Sequence, residues 1–248
     1  SRALDQIIEA GELREGEAVL EIGPGKGVLT KRLLAAGCSV LAIEKDDRLF
    51  AFLKNKFSKE IRLQKLILRH EDILDFSFTT PIAEQYKLIA NIPYNITGAI
   101  LEKFLSAPHQ PERLVLLVQK EVAKRICGHR VSTGGKESIL SISVKAYGTP
   151  RYVDTVKAGS FVPAPTVDSA IIAITAVSKD FFTSFTEEFF FQVLKAGFKS
   201  KRKKLSSNLS PLFPKEKVSQ TFKNLVSMKT CVPKTFLWMC GGKWPSFS

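Results

Sequence analysis

The feature that most constrains the fold is an alternation, across residues 19–126, of short apolar runs with amphipathic ones. Residues 19–22, 39–43, 66–68, 87–90 and 114–118 read as buried strands, and residues 29–36, 46–57 and 120–126 as helices. Such alternation predicts an α/β fold with a mostly parallel sheet flanked by helices. Residues 139–144 and 169–176 read as later strands, the second antiparallel at an edge. After Val177 the pattern changes. Residues 181–198 and the basic stretch 199–209 read as helical, Pro211 and Pro214 punctuate a loop, and no convincing strand follows. The division predicted is a larger domain over residues 1–177 and a small all-helical domain over residues 178–248.

A chain of 248 residues has room for a large and a small domain. Its net charge is +13, unevenly placed: residues 179–248 hold 13 Lys or Arg against 4 Asp or Glu. A polyanion partner fits that excess, although charge alone is equally compatible with a solvated basic face. No apolar run approaches the ~20 residues needed to cross a bilayer. Cys38, Cys127, Cys231 and Cys240 form no C-x-x-C pair and lack nearby His partners, which argues against a zinc site or a disulfide framework. A cytoplasmic monomer is expected, or an organellar one if a targeting segment has been trimmed; the chain begins at Ser1 with no initiator methionine and no signal-peptide pattern.

Between the first strand and its helix lies Glu21-Ile22-Gly23-Pro24-Gly25-Lys26-Gly27. Glycines there permit a tight turn and let backbone approach a ligand. The spacing is G-x-G-x-G, not the G-x-G-x-x-G of a dinucleotide site. Glu44 closes the second strand, where a carboxylate can accept from both hydroxyls of a ribose. Asp72 follows the third strand, where it can accept from an exocyclic amine such as that of adenine. Each residue alone reads as easily as a turn, a surface acid or a cap. In order on successive strand ends, they make Glu21, Gly23, Gly25, Gly27, Glu44 and Asp72 a candidate nucleoside site, and the glycine spacing favours S-adenosylmethionine over NAD.

Asn91-Ile92-Pro93-Tyr94 follows the fourth strand. An aromatic amine is a poor nucleophile because its lone pair is delocalised into the ring. A site that methylates it must accept the amine hydrogens and turn the lone pair toward the methyl donor. The Asn91 side-chain oxygen and a backbone carbonyl, that of Ile92, can do this; Pro93 fixes the turn, and Tyr94 offers a stacking face.

At this point the sequence resembles the ribosomal RNA adenine dimethyltransferases, which modify two adjacent adenines near the 3′ end of small-subunit RNA. The resemblance covers about residues 18–209. It rests on the glycine loop, on Asn91 to Asn95, on Gln119 to Val122, on the segment Phe161-Val162-Pro163-Ala164-Pro165-Thr166-Val167-Asp168-Ser169-Ala170, and on Phe198 to Leu205 with Asn208 and Leu209. It implies a Rossmann-like methyltransferase domain followed by a small helical one. It places Gly23, Glu44, Asp72 and Asn91 on S-adenosylmethionine, Asn91 also at the target amine, and the target base between Tyr94 and Phe161. Two departures stand out: the family's Gln-Asn-Phe-Leu segment before the first helix is not present, and residues 232–240 match the family pattern poorly.

The expected reaction is in-line displacement at a sulfonium methyl, driven by positioning and hydrogen bonding. His70, His109 and His129 lie outside the motifs, so no histidine base is assigned. Lys199, Lys201, Arg202, Lys203 and Lys204 are the candidate RNA-phosphate contacts. Two rival readings remain: a large-subunit adenine methyltransferase of the antibiotic-resistance type, and a ribosome-assembly or transcription factor that keeps the fold without methylating. Val167-Asp168-Ser169-Ala170 favours the small-subunit group, and intact Asn91 and Tyr94 favour an active enzyme.

Overall fold

A computed structural model describes residues 2–77, 83–128, 137–160, 165–200 and 202–227. The chain runs through α1 (Arg2–Gly11), β1 (Ala18–Ile22), α2 (Val28–Ala35), β2 (Ser39–Glu44), α3 (Asp47–Lys56), α4 (Ser58–Arg62) and β3 (Leu66–His70). It continues with β4 (Tyr86–Asn91), α5 (Thr97–Leu105), β5 (Arg113–Gln119), α6 (Lys120–Cys127), α7 (Ile139–Tyr147), β6 (Thr149–Val156) and β7 (Ser169–Thr175). Then follow α8 (Glu187–Phe198), α9 (Leu205–Leu209) and α10 (Lys215–Ser227). Two compact units result: Ser1–Cys127 with Gly148–Ser178, and Gly128–Tyr147 with Lys179–Ser248.

The first unit is built on a seven-stranded sheet of order β3-β2-β1-β4-β5-β7-β6. The pairings from β3 through to β5 are parallel, and β7 runs antiparallel between β5 and β6. Strand order reverses between β1 and β4: the chain first steps outward to β2 and β3, then returns to the other side of β1. A ligand crevice forms outside the carboxyl ends of strands at such a switch point. The loops leaving β1 and β4 are the glycine loop and the Asn91 quartet, so topology brings them to one place.

Strand burial explains why the apolar runs are nearly continuous. Val19, Val40, Ala42, Ile89, Val115 and Ala173 pack with Ile7 of α1, Leu29 and Leu33 of α2, and Leu53 of α3. Leu20, Leu41, Leu88, Leu114 and Leu116, which alternate with them, are also buried. Both faces of the sheet are therefore covered, as parallel strands require. The carboxyl end of α1 is held by cations, as its exposed carbonyls favour: Lys87 donates to the Glu12 carbonyl at 2.7 Å and Arg113 to that of Ala10 at 2.8 Å.

Four expectations are corrected. Residues 139–144 are helical, within α7. Their apolar–polar alternation imitates a strand, but Ser138 and Ser141 exchange backbone-to-hydroxyl hydrogen bonds that start a helix, and Ile142 and Ala146 lie on one face of it. β7 is antiparallel but not at an edge, because β6 covers it. β6 carries Pro150 and a bulge between Tyr152 and Asp154, features that edge strands tolerate and that obscured it in the sequence. Residues 181–198 are not one helix: a 3-10 turn, Asp180–Phe182, is followed by α8, whose start is set by Thr186 accepting from the Phe189 N–H at 3.2 Å. Residues 199–209 are helical only over α9, which leaves the cations before it in a loop.

In the second unit Ile142, Ala146, Phe190 and Leu194 form a buried cluster, flanked by Phe181, Phe182, Phe185, Phe191 and Phe198. Phe181 meets Phe182 and Phe190 edge to face, each at 5.2 Å between ring centres. Large aromatic side chains supply much buried area per residue, which a small unit needs.

Candidate cofactor and amine site

Gly23, Gly25 and Gly27 take φ of +63°, +59° and +70°, the left-handed region that glycine enters without strain. Gly27 has a second reason to lack a side chain. A Cβ there would stand 2.4 Å from Phe57 Cε2 and 2.8 Å from Leu53 Cδ2, so the start of α2 could not approach α3. Glu44, on the neighbouring strand and buried, secures the loop: the Gly25 N–H donates to its Oε2 at 3.1 Å and the Asp46 N–H to its Oε1 at 3.0 Å. Each oxygen of this carboxylate can accept a further hydrogen bond. The residue read as the ribose acid is thus also a brace of the glycine loop, a link that the sequence did not disclose.

Glu21 is 1% exposed, with Thr30, also buried, beside its carboxyl. Burial pushes its carboxyl up to about 8; the charge of Glu44 adds to the rise, and the proximity of Thr30 opposes it. A buried acid at the root of a glycine loop fits a ligand that brings positive charge, because a charge taken out of water is costly unless it is paired.

The raised value also fixes a pH dependence. In the unfolded chain Glu21 ionises near 4.5, whereas in the folded protein it keeps its proton until about pH 8. The folded state therefore binds the extra proton between those values, and stability falls as pH rises through that window. We expect Glu21→Gln to remove a slope of about 1.4 kcal/mol per pH unit and to be more stable than the unsubstituted protein at pH 8. Denaturant unfolding at pH 5, 6.5 and 8 checks this; parallel curves for the two proteins would show that Glu21 is ionised throughout.

Asp72, one turn beyond β3, accepts from Lys45 Nζ at 2.6 Å and from the Leu74 N–H at 2.9 Å. The Lys45 ammonium, with the Leu74 amide, holds its carboxyl below the usual range. His70, which the motifs left aside, ends β3 beside Glu44 in register. Its ring stacks on Phe50 at 4.7 Å, and its Nε2 lies 3.0 Å from Asp47 Oδ1 and 3.2 Å from the Lys45 carbonyl. Lys45 and His70 thus fasten the segment after β2 to the end of β3. Only the fold reveals this, because the residues are 25 positions apart.

The Asn91 quartet stands next to the glycine loop: a Cβ on Gly23 would lie 3.7 Å from the Asn91 carbonyl oxygen. Asn91 and Pro93 are exposed, Ile92 is buried, and Tyr94 is half-buried. The Ile92 N–H donates to the Leu117 carbonyl at 3.3 Å. Behind it the Pro93 carbonyl accepts from the Ile96 N–H at 3.2 Å, and the Tyr94 carbonyl from the Thr97 hydroxyl at 3.3 Å. The turn is locked from both sides, and Asn91 is exposed at the strand end. Tyr94 reaches across β5 to β7, where its hydroxyl meets Ser169 Oγ at 2.6 Å.

Glu21, Gly23, Gly25, Gly27, Glu44, Asp72, Asn91, Ile92, Pro93 and Tyr94 therefore lie along the carboxyl ends of β1 to β4. Phe161 falls outside the described residues, as do Lys201 and residues 232–240. Lys199, Arg202, Lys203 and Lys204 belong to the second unit, where all four are exposed. Asn208 closes their loop from inside: it is buried, and its Nδ2 donates to the Gly197 carbonyl at 2.7 Å and that of Ser200 at 3.0 Å.

Comparison with known proteins agrees with this arrangement. Residues 1–237 match the model of a family described as ribosomal RNA adenine dimethylase. A ribosomal RNA small subunit methyltransferase A of Dehalococcoides mccartyi is 40% identical over 209 residues, which cover 84% of this chain and 69% of the relative. One of Synechococcus elongatus is 38% identical over 232 residues, covering 88% and 80%. Among solved structures, a dimethyladenosine transferase from Plasmodium falciparum superposes with a TM-score of 0.73 at 28% identity, over 97% of this chain and 88% of that one. The 23S rRNA methyltransferase ErmE gives 0.75 at 26% identity, over 96% and 95%. With the strand order, the glycine loop and the Asn91 quartet in their places, the chain belongs to the ribosomal RNA adenine dimethylase family.

Proposed function

We propose that this protein transfers methyl groups from S-adenosylmethionine to the N6 amine of two adjacent adenines near the 3′ end of small-subunit ribosomal RNA. The observation that carries the reading is the position of Asn91 to Tyr94 at the sheet's switch point, against the glycine loop. When bound, S-adenosylmethionine supplies an electrophilic methyl on a sulfonium. Three acidic side chains around the loop suit it: Glu21, whose buried carboxyl a positive ligand would help to ionise, Glu44 for the ribose hydroxyls and Asp72 for the adenine amine. Asn91 Oδ1 and the Ile92 carbonyl accept the hydrogens of the target amine, which concentrates its lone pair on nitrogen. Tyr94 stacks on the base, and Phe161 would flank it from the other side. The amine proton leaves to solvent after transfer, so no histidine base is required.

The large-subunit alternative draws support from the likeness to ErmE, but the relatives at 35–40% identity carry small-subunit names. The deciding experiment offers labelled S-adenosylmethionine with immature small subunits, or with large-subunit RNA, to the purified chain. Label confined to large-subunit RNA would overturn the assignment.

Glu44→Ala should weaken S-adenosylmethionine binding by about 1.5–3 kcal/mol, the range for hydrogen bonds to a charged group. The loss of its grip on Gly25 adds loop disorder to the missing ribose contact. Calorimetry on a folded variant checks this; unchanged affinity would remove Glu44 from the site.

A further inference from the structure

Asp168 and Ser169 bridge three strands at the mouth of the site, and the reaction as proposed above gives them no task. Ser169 opens β7, paired with Gln119 at the end of β5 and with Val156 at the end of β6. It is fully buried, and its hydroxyl lies 2.6 Å from that of Tyr94. Asp168 fixes the backbone on either side. Its carbonyl accepts from the Lys120 N–H at 3.0 Å, and its carboxylate from the Ala158 N–H at 3.1 Å. Lys120 and Lys157 flank that carboxylate at 3.6 and 3.5 Å. The ends of β5 and β6, and the start of β7, are thereby drawn onto one dipeptide. A single hydroxyl then projects from it to the tip of the Tyr94 ring.

A half-buried tyrosine anchored only at its backbone can swing about its side-chain bonds, and a swung ring offers no stacking face. The 2.6 Å bond fixes the far end of the ring to a fully buried residue paired on both sides in the sheet. We propose that Ser169 is a positioning residue for methyl transfer, holding the Tyr94 ring in the plane on which the target adenine stacks, with Asp168 as its brace. This rests on the methyl-transfer reading of the Asn91 quartet. Ser169 touches neither substrate nor cofactor, so its removal should affect the geometry of the reacting base and not the binding of either partner.

The test compares Ser169→Ala, Tyr94→Phe and the double variant in methyl transfer to immature small subunits. Tyr94→Phe keeps the ring and removes only the hydroxyl, so it reports on the bond even if Ser169→Ala folds poorly. Each single variant should lower kcat by about three- to ten-fold, the worth of one hydrogen bond, with KM for RNA and Kd for S-adenosylmethionine within about two-fold. The double variant should be no slower than either single one, since both remove the same bond. The fraction of product left at the monomethyl stage should rise in all three. A merely structural role for Ser169 predicts lowered melting temperature with kcat intact, or losses that multiply in the double variant, and either result overturns the proposal. If the unsubstituted protein transfers no methyl at all, the reading beneath it falls as well; if it does and Ser169→Ala matches it, this inference alone falls.

Discussion

Replacing Asn91 by alanine is expected to lower the methyl-transfer rate by about 10²–10³, the cost of removing one preorganised polar contact at a reacting centre, while RNA affinity changes by less than about two-fold. The asymmetry follows from where the contact acts. An adenine amine conjugated to its ring is nearly planar, and its lone pair gains nucleophilic character only as nitrogen pyramidalises. Hydrogen bonds from the amine to Asn91 Oδ1 and the Ile92 carbonyl strengthen along that path, so they stabilise the transition state more than the bound ground state. The RNA as a whole is held by many phosphate and stacking contacts that Asn91 does not make. Removal of the amide also leaves the backbone in place, because the turn is fixed by the Ile92, Ile96 and Thr97 hydrogen bonds. Single-turnover rates beside filter-binding affinities separate the two effects. Equal loss of rate and affinity would mean that Asn91 grips the RNA in general and does not shape the amine.

What the residues disclosed before the fold, and what they hid, follows the range of the interactions concerned. Strands of the parallel half were legible where burial on both faces leaves an apolar run, as in residues 40–43 and 114–118. The glycine loop and the Asn91 quartet were legible because the chemistry needs neighbouring residues in fixed order. β6 was not, since an edge strand bearing Pro150 and a bulge lacks the apolar run. The helix α7 read as a strand because Ile139, Ile142 and Val144 are β-branched, and the serine exchange that starts it is a local competitor to that pattern. Tertiary partnerships left no trace at all. Glu44 with Gly25, Lys45 with Asp72, and Ser169 with Tyr94 join positions 19, 27 and 75 residues apart. Each polar residue could have been assigned to solvent until the sheet order placed its partner.

Neutralising the basic loop should have the second large effect, and on binding instead of rate. With Lys199, Arg202, Lys203 and Lys204 changed to glutamine, RNA affinity should fall and its dependence on salt should flatten. The cations lie between α8 and α9, not on a continuous helix, and this changes what they can reach. A helix would spread them around its circumference; a loop stapled by Asn208 to Gly197 and Ser200 holds them together on exposed backbone. Charges that cannot enter a core and are gathered on one exposed turn suit a run of phosphates. Each phosphate contact releases condensed counterions, so each one lost should reduce the log–log slope of affinity against salt by about 0.7–0.9. Phosphates carry no sequence information in themselves, so the loss should fall alike on cognate and unrelated RNA. S-adenosylmethionine affinity should hold, because the glycine loop and Glu44 belong to the other compact unit. Asn208→Ala supplies a complementary variant: it keeps every charge but removes the staple, and should weaken RNA binding with the salt slope largely retained. Affinities at four or more salt concentrations decide the matter. An unchanged slope in the neutralised variant would mean that the loop is a solvated face and that the RNA track runs over other cations of the chain.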